Sequence, residues 1–249
     1  MYGTNNDCTA GDLPRVTAAK PNDPSLRDFW IFGYGSLMWR PDFPFAEKSR
    51  ARLEGYHRAF CISSTHHRGN AARPGLVLGL DRGGVCDGVV YRVASGDAGG
   101  VLAYLREREL ISGVYREAQV RVMLQDGSHR VVTALAYIVE RCHPSYTGRQ
   151  PLKVQAHQIR GACGVSGNNL DYLLATVGHL IAAGIREPVL ERLVALSAPH
   201  AANLMGARHT CISAAPIRRA TAHLPDPAPR MRRGDRMRFL YRIRLNGDV

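Results

Sequence analysis

Ile31-Phe32-Gly33-Tyr34-Gly35-Ser36-Leu37-Met38-Trp39 is the stretch from which the rest of the chain is read. It begins apolar, as the end of a buried strand does, and then breaks into Gly33-Tyr34-Gly35-Ser36. Glycines on either side of Tyr34 remove side chains where the backbone has to turn. A turn of this kind leaves consecutive N–H groups pointing outward, the arrangement that holds anions and polarised carbonyls. The stretch therefore reads as the floor of an active site. It fits equally a plain strand end packed by Tyr34 and Trp39, because a short Gly-x-Gly is a weak signal. The residues further along separate the two readings.

Working outward, the segment from Phe29 to Tyr34 predicts a strand, apolar on both faces and so central. Pro41-Asp42-Phe43-Pro44-Phe45 predicts an irregular loop, since its prolines lack N–H donors. Arg52 to Ser63 reads as extended, and Ser64 to Asn70 as a dense polar loop closed by Arg73-Pro74-Gly75. Leu76 to Asp81 and Val85 to Val93 predict two strands joined by a hairpin at Arg82-Gly83-Gly84. Ser95 to Leu110 predicts a helix, capped by Ser95 or Asp97, with Ile111-Ser112-Gly113 breaking it. Tyr115 to Leu124 and His129 to Val139 predict strands turning at Asp126-Gly127. Pro151 starts a helix. Asn168 or Asn169 caps another, which Gly184 stops, and a last helix runs from Pro188 to about Ser197. Strands with one inserted helix, followed by helices, give an α+β class: a mostly antiparallel sheet or barrel packed by helices.

The chain has 249 residues, 45% of them apolar, enough for one large domain or two small ones. Residues 1–27 read as a loose N-terminal extension, without the basic and apolar regions of a secretory signal. No apolar run is long enough to predict a transmembrane helix, so no membrane partner is expected. The net charge of +12 suggests a nucleic-acid partner, but ten Arg and three Asp after Met205 carry +7 of it. Residues 206–249 therefore read as a poorly ordered, Arg-rich tail, and nucleic acid is not an expected partner. Cys8, Cys61, Cys86, Cys142, Cys163 and Cys211 lie at least about twenty residues apart, so there is no paired-cysteine metal or redox motif. Free thiols in a reducing cytoplasm are expected, and no metal site is suggested.

Chemistry concentrates at Tyr104-Leu105-Arg106-Glu107-Arg108-Glu109-Leu110. A carboxylate at a helix C-terminus faces the unfavourable end of the helix dipole. Glu107 and Glu109 project about 200° apart, so only one can enter a given pocket. Glu109 abuts Leu110 and Ile111 and is the better candidate for burial, which would raise its pKa and suit it to proton transfer. A solvated, ion-paired helix end accounts for the same composition. Tyr115 is placed to orient a carboxylate through its hydroxyl, or to pack as a strand aromatic. His66, His67 and Arg68 offer donors to an anionic carboxylate, or stand as exposed loop residues.

Taken together these motifs resemble the ChaC family of glutathione-specific γ-glutamylcyclotransferases. The resemblance is carried in order by Phe32 to Trp39, Asp42-Phe43-Pro44, Ser64-Thr65-x-His67-Arg68-Gly69 and Pro74-Gly75. It continues through Arg108-Glu109-Leu110-Ile111-Ser112-Gly113-Val114-Tyr115, His143-Pro144-x-Tyr146 and Ser166-Gly167-x-Asn169-x-x-Tyr172-Leu173. The Ile-Ser-Gly segment after Glu109 is closer to the bacterial branch. The resemblance spans about Phe29 to Leu196 and implies a cyclotransferase domain over 28–205, built as a small mixed or antiparallel β-barrel with surrounding helices. It implies Glu109 as the catalytic residue. It implies substrate binding by Ile31, Phe32, Gly33, Tyr34, Gly35, Ser36, Leu37 and Tyr115, with no cofactor or metal. The implied substrate is glutathione, cleaved to 5-oxoproline and Cys-Gly by a cytoplasmic monomer or weak dimer. Other γ-glutamyl amines or dipeptides remain open as substrates. A basic nucleic-acid-associated protein and a non-catalytic scaffold are the alternatives from other classes.

Overall fold

The apolar run at Phe29 becomes the shortest stave of a closed barrel. The computed structural model describes residues 27–198. Its strands are β1 (Phe29–Gly33), β2 (Glu47–Ser64), β3 (Gly75–Val93), β4 (Tyr115–Leu124) and β5 (Val131–Val139). They pair in the order β1-β3-β2-β4-β5, and β5 closes on β1. Every pairing is antiparallel except the closing one, where Trp30 and Ile31 lie parallel to Ala134 and Leu135. The expected α+β barrel with helices around it is thus a mixed one. β1 is central, as its two apolar faces require, and Ile31 and Phe32 are fully buried. Gly88 on β3 lets β1 come close, since a Cβ there would sit 2.5 Å from the Gly33 carbonyl oxygen.

The hairpin expected at Arg82-Gly83-Gly84 does not exist. β3 is one strand of 19 residues, paired along most of its length with the 18-residue β2. Tyr56 pairs with Arg82 and Glu54 with Val85, so Gly55 faces Gly83 and Gly84 across the ladder. All three have positive φ, at 82°, 96° and 74°. The left-handed conformation that marks a tight hairpin turn also marks a bulge, and here glycines on both strands bend the ribbon without ending it. The hairpin between β4 and β5 does form, and Asp126 Oδ1 accepts the Ser128 N–H within its turn.

The helices are α1 (Ser95–Glu109), α2 (Leu152–Gly161), α3 (Asn169–Ala182) and α4 (Pro188–Ser197). A two-residue hairpin, β6 (Cys163–Gly164) with β7 (Gly167–Asn168), separates α2 from α3 and was not expected from sequence. Neither Ser95 nor Asp97 caps α1. Asp28 does so from the segment before β1: its Oδ1 accepts the Ser95 N–H at 2.9 Å and its Oδ2 the Arg92 Nη1 at 2.7 Å. These two bonds lower the Asp28 pKa. Cys61, Cys86 and Cys163 are free thiols, whereas Cys142 is disulfide-bonded, against expectation. Apart from Arg27, the expected N-terminal extension lies outside the described residues, as do the boundary at 205 and the Arg-rich tail. No helix among the described residues is long and apolar enough to cross a membrane.

Candidate active site

Immediately after β1 the chain makes a single 3-10 turn, Ser36–Met38, entered through Gly35. The turn is held from below. Tyr91 Oη, on β3, bridges the Leu37 and Met38 carbonyl oxygens at 3.0 and 2.8 Å. Arg58, on β2, has a fully buried side chain; its Nε donates to the Tyr34 carbonyl at 2.6 Å, and its other nitrogens reach the Asp87 carbonyl and the Glu187 carboxylate. The carbonyls of the turn are thus engaged. Among the described residues the N–H groups of Gly35, Ser36 and Leu37 have no protein acceptor.

The same residues line a small pocket of about 60 Å³. Tyr34, Gly35, Ser36 and Leu37 form one wall, Glu109 and Tyr115 enter from the end of α1 and the start of β4, and Leu78, Tyr137 and Tyr172 complete it. The structure thus brings six of the expected site residues together. Ile31, Phe32 and Gly33 lie in β1 beneath the turn, buried, and do not line the pocket. Of the two glutamates at the helix end, Glu107 is exposed and Glu109 is turned inward. Burial raises the Glu109 pKa, against the opposing pull of Arg108, whose Nε lies 3.1 Å from Glu109 Oε1. The burial does not come from Ile111, which is 84% exposed. The pocket that Glu109 enters is walled largely by phenol rings.

Tyr34, Tyr115, Tyr137 and Tyr172 all have raised pKa values, in each case chiefly through burial, so they stay neutral and hydrogen-bonding. Tyr115 does not orient Glu109 directly; its hydroxyl donates to the Leu78 carbonyl at 2.7 Å. The Tyr137 hydroxyl donates to Glu117 Oε1 at 3.2 Å. His66 and His67 are exposed and outside the pocket. Their loop packs on the β6–β7 hairpin through Val165 N–H to His66 O and Ser166 N–H to His67 O. Arg68 comes nearer, with its guanidinium 5.0 Å from the centre of the Tyr172 ring.

A larger cleft of about 680 Å³ lies along β2, β4 and β5, where β2 and β4 pair only at Ala51–Leu53. None of the expected site residues lines it, so chemistry rather than size selects the smaller pocket. Among the described residues no cluster of His, Cys, Asp and Glu is arranged to hold a metal ion.

The model of the family described as ChaC-like protein matches residues 29–198. The chain is similar to the glutathione-specific gamma-glutamylcyclotransferase of Escherichia coli strain K12, with 37% identity over 185 residues, covering 74% of this chain and 78% of that one. It is 40% identical over 165 residues to glutathione-specific gamma-glutamylcyclotransferase 1 of Mus musculus, covering 65% of this chain and 74% of that one. A crystal structure of a gamma-glutamyl cyclotransferase specific to glutathione from yeast shares the fold, with a TM-score of 0.60 at 24% identity over 70% of this chain and 99% of that one. Since the family match runs from the first barrel strand through the last helix described, the chain belongs to the ChaC-like family.

Proposed function

We propose that this protein is a glutathione-specific γ-glutamylcyclotransferase, a lyase releasing 5-oxoproline and Cys-Gly. One observation carries the reading. A carboxylate desolvated by burial, Glu109, shares a pocket with Gly35, Ser36 and Leu37, whose N–H groups have no protein acceptor among the described residues. Base and oxyanion donors at one place are what an acyl transfer to nitrogen needs.

The α-amine of the γ-glutamyl group is an ammonium in water and becomes nucleophilic only on losing a proton. Glu109, its proton affinity raised by burial, takes that proton. The amine nitrogen then attacks the γ-carbonyl carbon of the same residue and closes a five-membered lactam. Because the attack is intramolecular, the protein's main task is to hold the folded conformer. The carbonyl oxygen becomes an oxyanion and receives the N–H groups of the turn. As the bond to the cysteinyl nitrogen breaks, Glu109 returns its proton to that nitrogen. The second proton, shed by the attacking nitrogen as it becomes the lactam N–H, passes to Glu109 in turn and leaves with the released Cys-Gly amine as its ammonium. The phenol wall excludes water from the pocket without adding charge. Tyr115 supports the pocket through Leu78.

The test is incubation of the purified protein with glutathione, following 5-oxoproline and Cys-Gly together. γ-Glutamyl-alanine run in parallel measures specificity, and equal kcat/KM for the two would move the reading to a general γ-glutamyl cyclotransferase. Failure to form 5-oxoproline from either would remove it.

We further infer a cytoplasmic enzyme, since glutathione is the thiol buffer of that compartment. The catalytic domain spans 28–205 and acts as a monomer or weak dimer, with no nucleic-acid partner. Salt-sensitive retention on DNA that is lost on truncation at 205 would overturn the last point.

A further inference from the structure

Arg108 is the last residue but one of α1 and does not line the pocket, yet its guanidinium touches both the Glu109 carboxylate and the glycine turn. Nε faces Glu109 Oε1 at 3.1 Å. Nη2 donates to Ser36 Oγ at 2.8 Å, and Nη1 to the Arg40 carbonyl at 2.9 Å. Ser36 and Arg40 are the two ends of one turn, closed by the Arg40 N–H to Ser36 O bond at 2.8 Å. A single planar group therefore staples both ends of the turn and the neighbouring carboxylate. Nη1 also donates to Tyr104 Oη one helical turn back, at 2.9 Å, which fixes the side chain on its own helix.

We propose that Arg108 is the positioning residue of the reaction, locking the Glu109 carboxylate and the oxyanion-binding turn into one register. The proposal rests on the assignment of Glu109 as base made above. Adjacent residues on a helix diverge by about 100°, so nothing in helix geometry alone brings Arg108 back across Glu109. An arginine at a helix C-terminus is favourable in its own right. What goes beyond that is the fork: its donors meet a carboxylate, a hydroxyl and a carbonyl on two separate elements. A lysine, with one ammonium, cannot reproduce this arrangement.

The groups facing Glu109 from the other elements are the neutral phenols of Tyr34 after β1, Tyr115 on β4, Tyr137 on β5 and Tyr172 on α3. Arg108 is the cation acting on it, and Asp42 Oδ2 lies 3.7 Å from Arg108 Nη1. Arg108 therefore also holds the Glu109 pKa below where burial alone would carry it.

Wild type, Arg108→Met, Arg108→Lys and Glu109→Gln are compared as full chains, measuring kcat and KM for glutathione across pH. Arg108→Met is expected to lower kcat at least about tenfold, to move KM less than about threefold, and to shift the acidic limb of kcat/KM to higher pH. Arg108→Lys keeps the charge, so the acidic limb returns toward wild type while kcat stays at least about threefold down. Wild-type kcat in Arg108→Met, or a KM effect with kcat unchanged in either variant, overturns the proposal. Should Arg108→Met not fold, Arg108→Lys decides: wild-type kcat there overturns it equally. Glu109→Gln separates the two claims. If it still turns over, the base assignment fails; if it is inactive while both Arg108 variants behave as wild type, only the positioning role fails.

Discussion

Asn169 clasps the backbone of Leu76. Its Oδ1 accepts the Leu76 N–H at 2.7 Å and its Nδ2 donates to the Leu76 carbonyl at 2.7 Å, with the side chain wholly buried. Two residues on, the Leu78 carbonyl accepts from the Tyr115 hydroxyl. β3 has β2 on one edge here, while β1 pairs with it only from Val89 to Val93. Side chains thus satisfy the edge that no strand covers, and the pocket exists because no strand fills that place.

Replacing Asn169 by Ala leaves two buried main-chain groups without partners. A loss of about 2–4 kcal/mol of stability is expected. Chemical denaturation of the purified variant measures it, and a change below about 0.5 kcal/mol would show that water replaces the clasp. Because Leu78 lines the pocket, kcat/KM should fall as well.

Glu109→Gln removes the proton acceptor while keeping size and polarity. Turnover should fall at least about a thousandfold, the upper range of general acid–base contributions, with glutathione affinity nearly unchanged. Glu107→Gln is the internal control. That side chain is exposed, and its variant should retain activity within about twofold.

The pH behaviour of Glu109 runs in opposite senses for activity and for stability. Its pKa is raised by burial, so kcat/KM should fall as pH drops through a value above the ordinary glutamate range. A folded protein that holds this proton more tightly than the unfolded chain loses stability as pH rises between the two pKa values. At pH 7 the Tm of Glu109→Gln should therefore match or exceed that of wild type. A clearly lower Tm would mean that the charged carboxylate is favoured in the fold.

Arg58→Met should be the most damaging of these substitutions to the fold. It leaves the Tyr34 and Asp87 carbonyls without their donor and Glu187 without its cation. Removing one partner of a buried pair costs about 3–5 kcal/mol. Glu187→Gln, whose side chain is 19% exposed, should cost less, since a neutral amide still accepts from Arg58. Equal losses in the two variants would shift the weight from the carbonyl contacts to the ion pair.

Much of the site was legible because its signals are local. The glycine turn, the helix break after Glu109 and Tyr115 each stand out within a few residues. Glu109 rather than Glu107 lines the pocket, but not for the reason the sequence offers: Ile111 is exposed to solvent, and the phenol rings around the pocket come from four other places in the chain. Tyr137 falls inside a predicted strand and Tyr172 inside a motif of the family resemblance, yet neither is singled out for the pocket, since nothing in a strand or helix pattern shows which hydroxyl meets one. Arg58 looks like an ordinary polar residue of a strand; its burial follows from barrel closure and from Glu187, 129 positions away. Asn169 sits where a cap is expected, and its side chain is spent on another element instead. The hairpin misread at Gly83-Gly84 has the same root, since only the glycine on the partner strand separates a bulge from a turn.

That unbroken β3 ties two ends of the site to one piece of backbone, Leu78 at the pocket wall and Tyr91 under the glycine turn. A hairpin loop at Gly83 would accept an inserted segment or new chain ends with little effect. A bulge inside a paired ribbon should not, so a permuted or nicked chain opened between Gly83 and Gly84 should lose cooperative unfolding and turnover together.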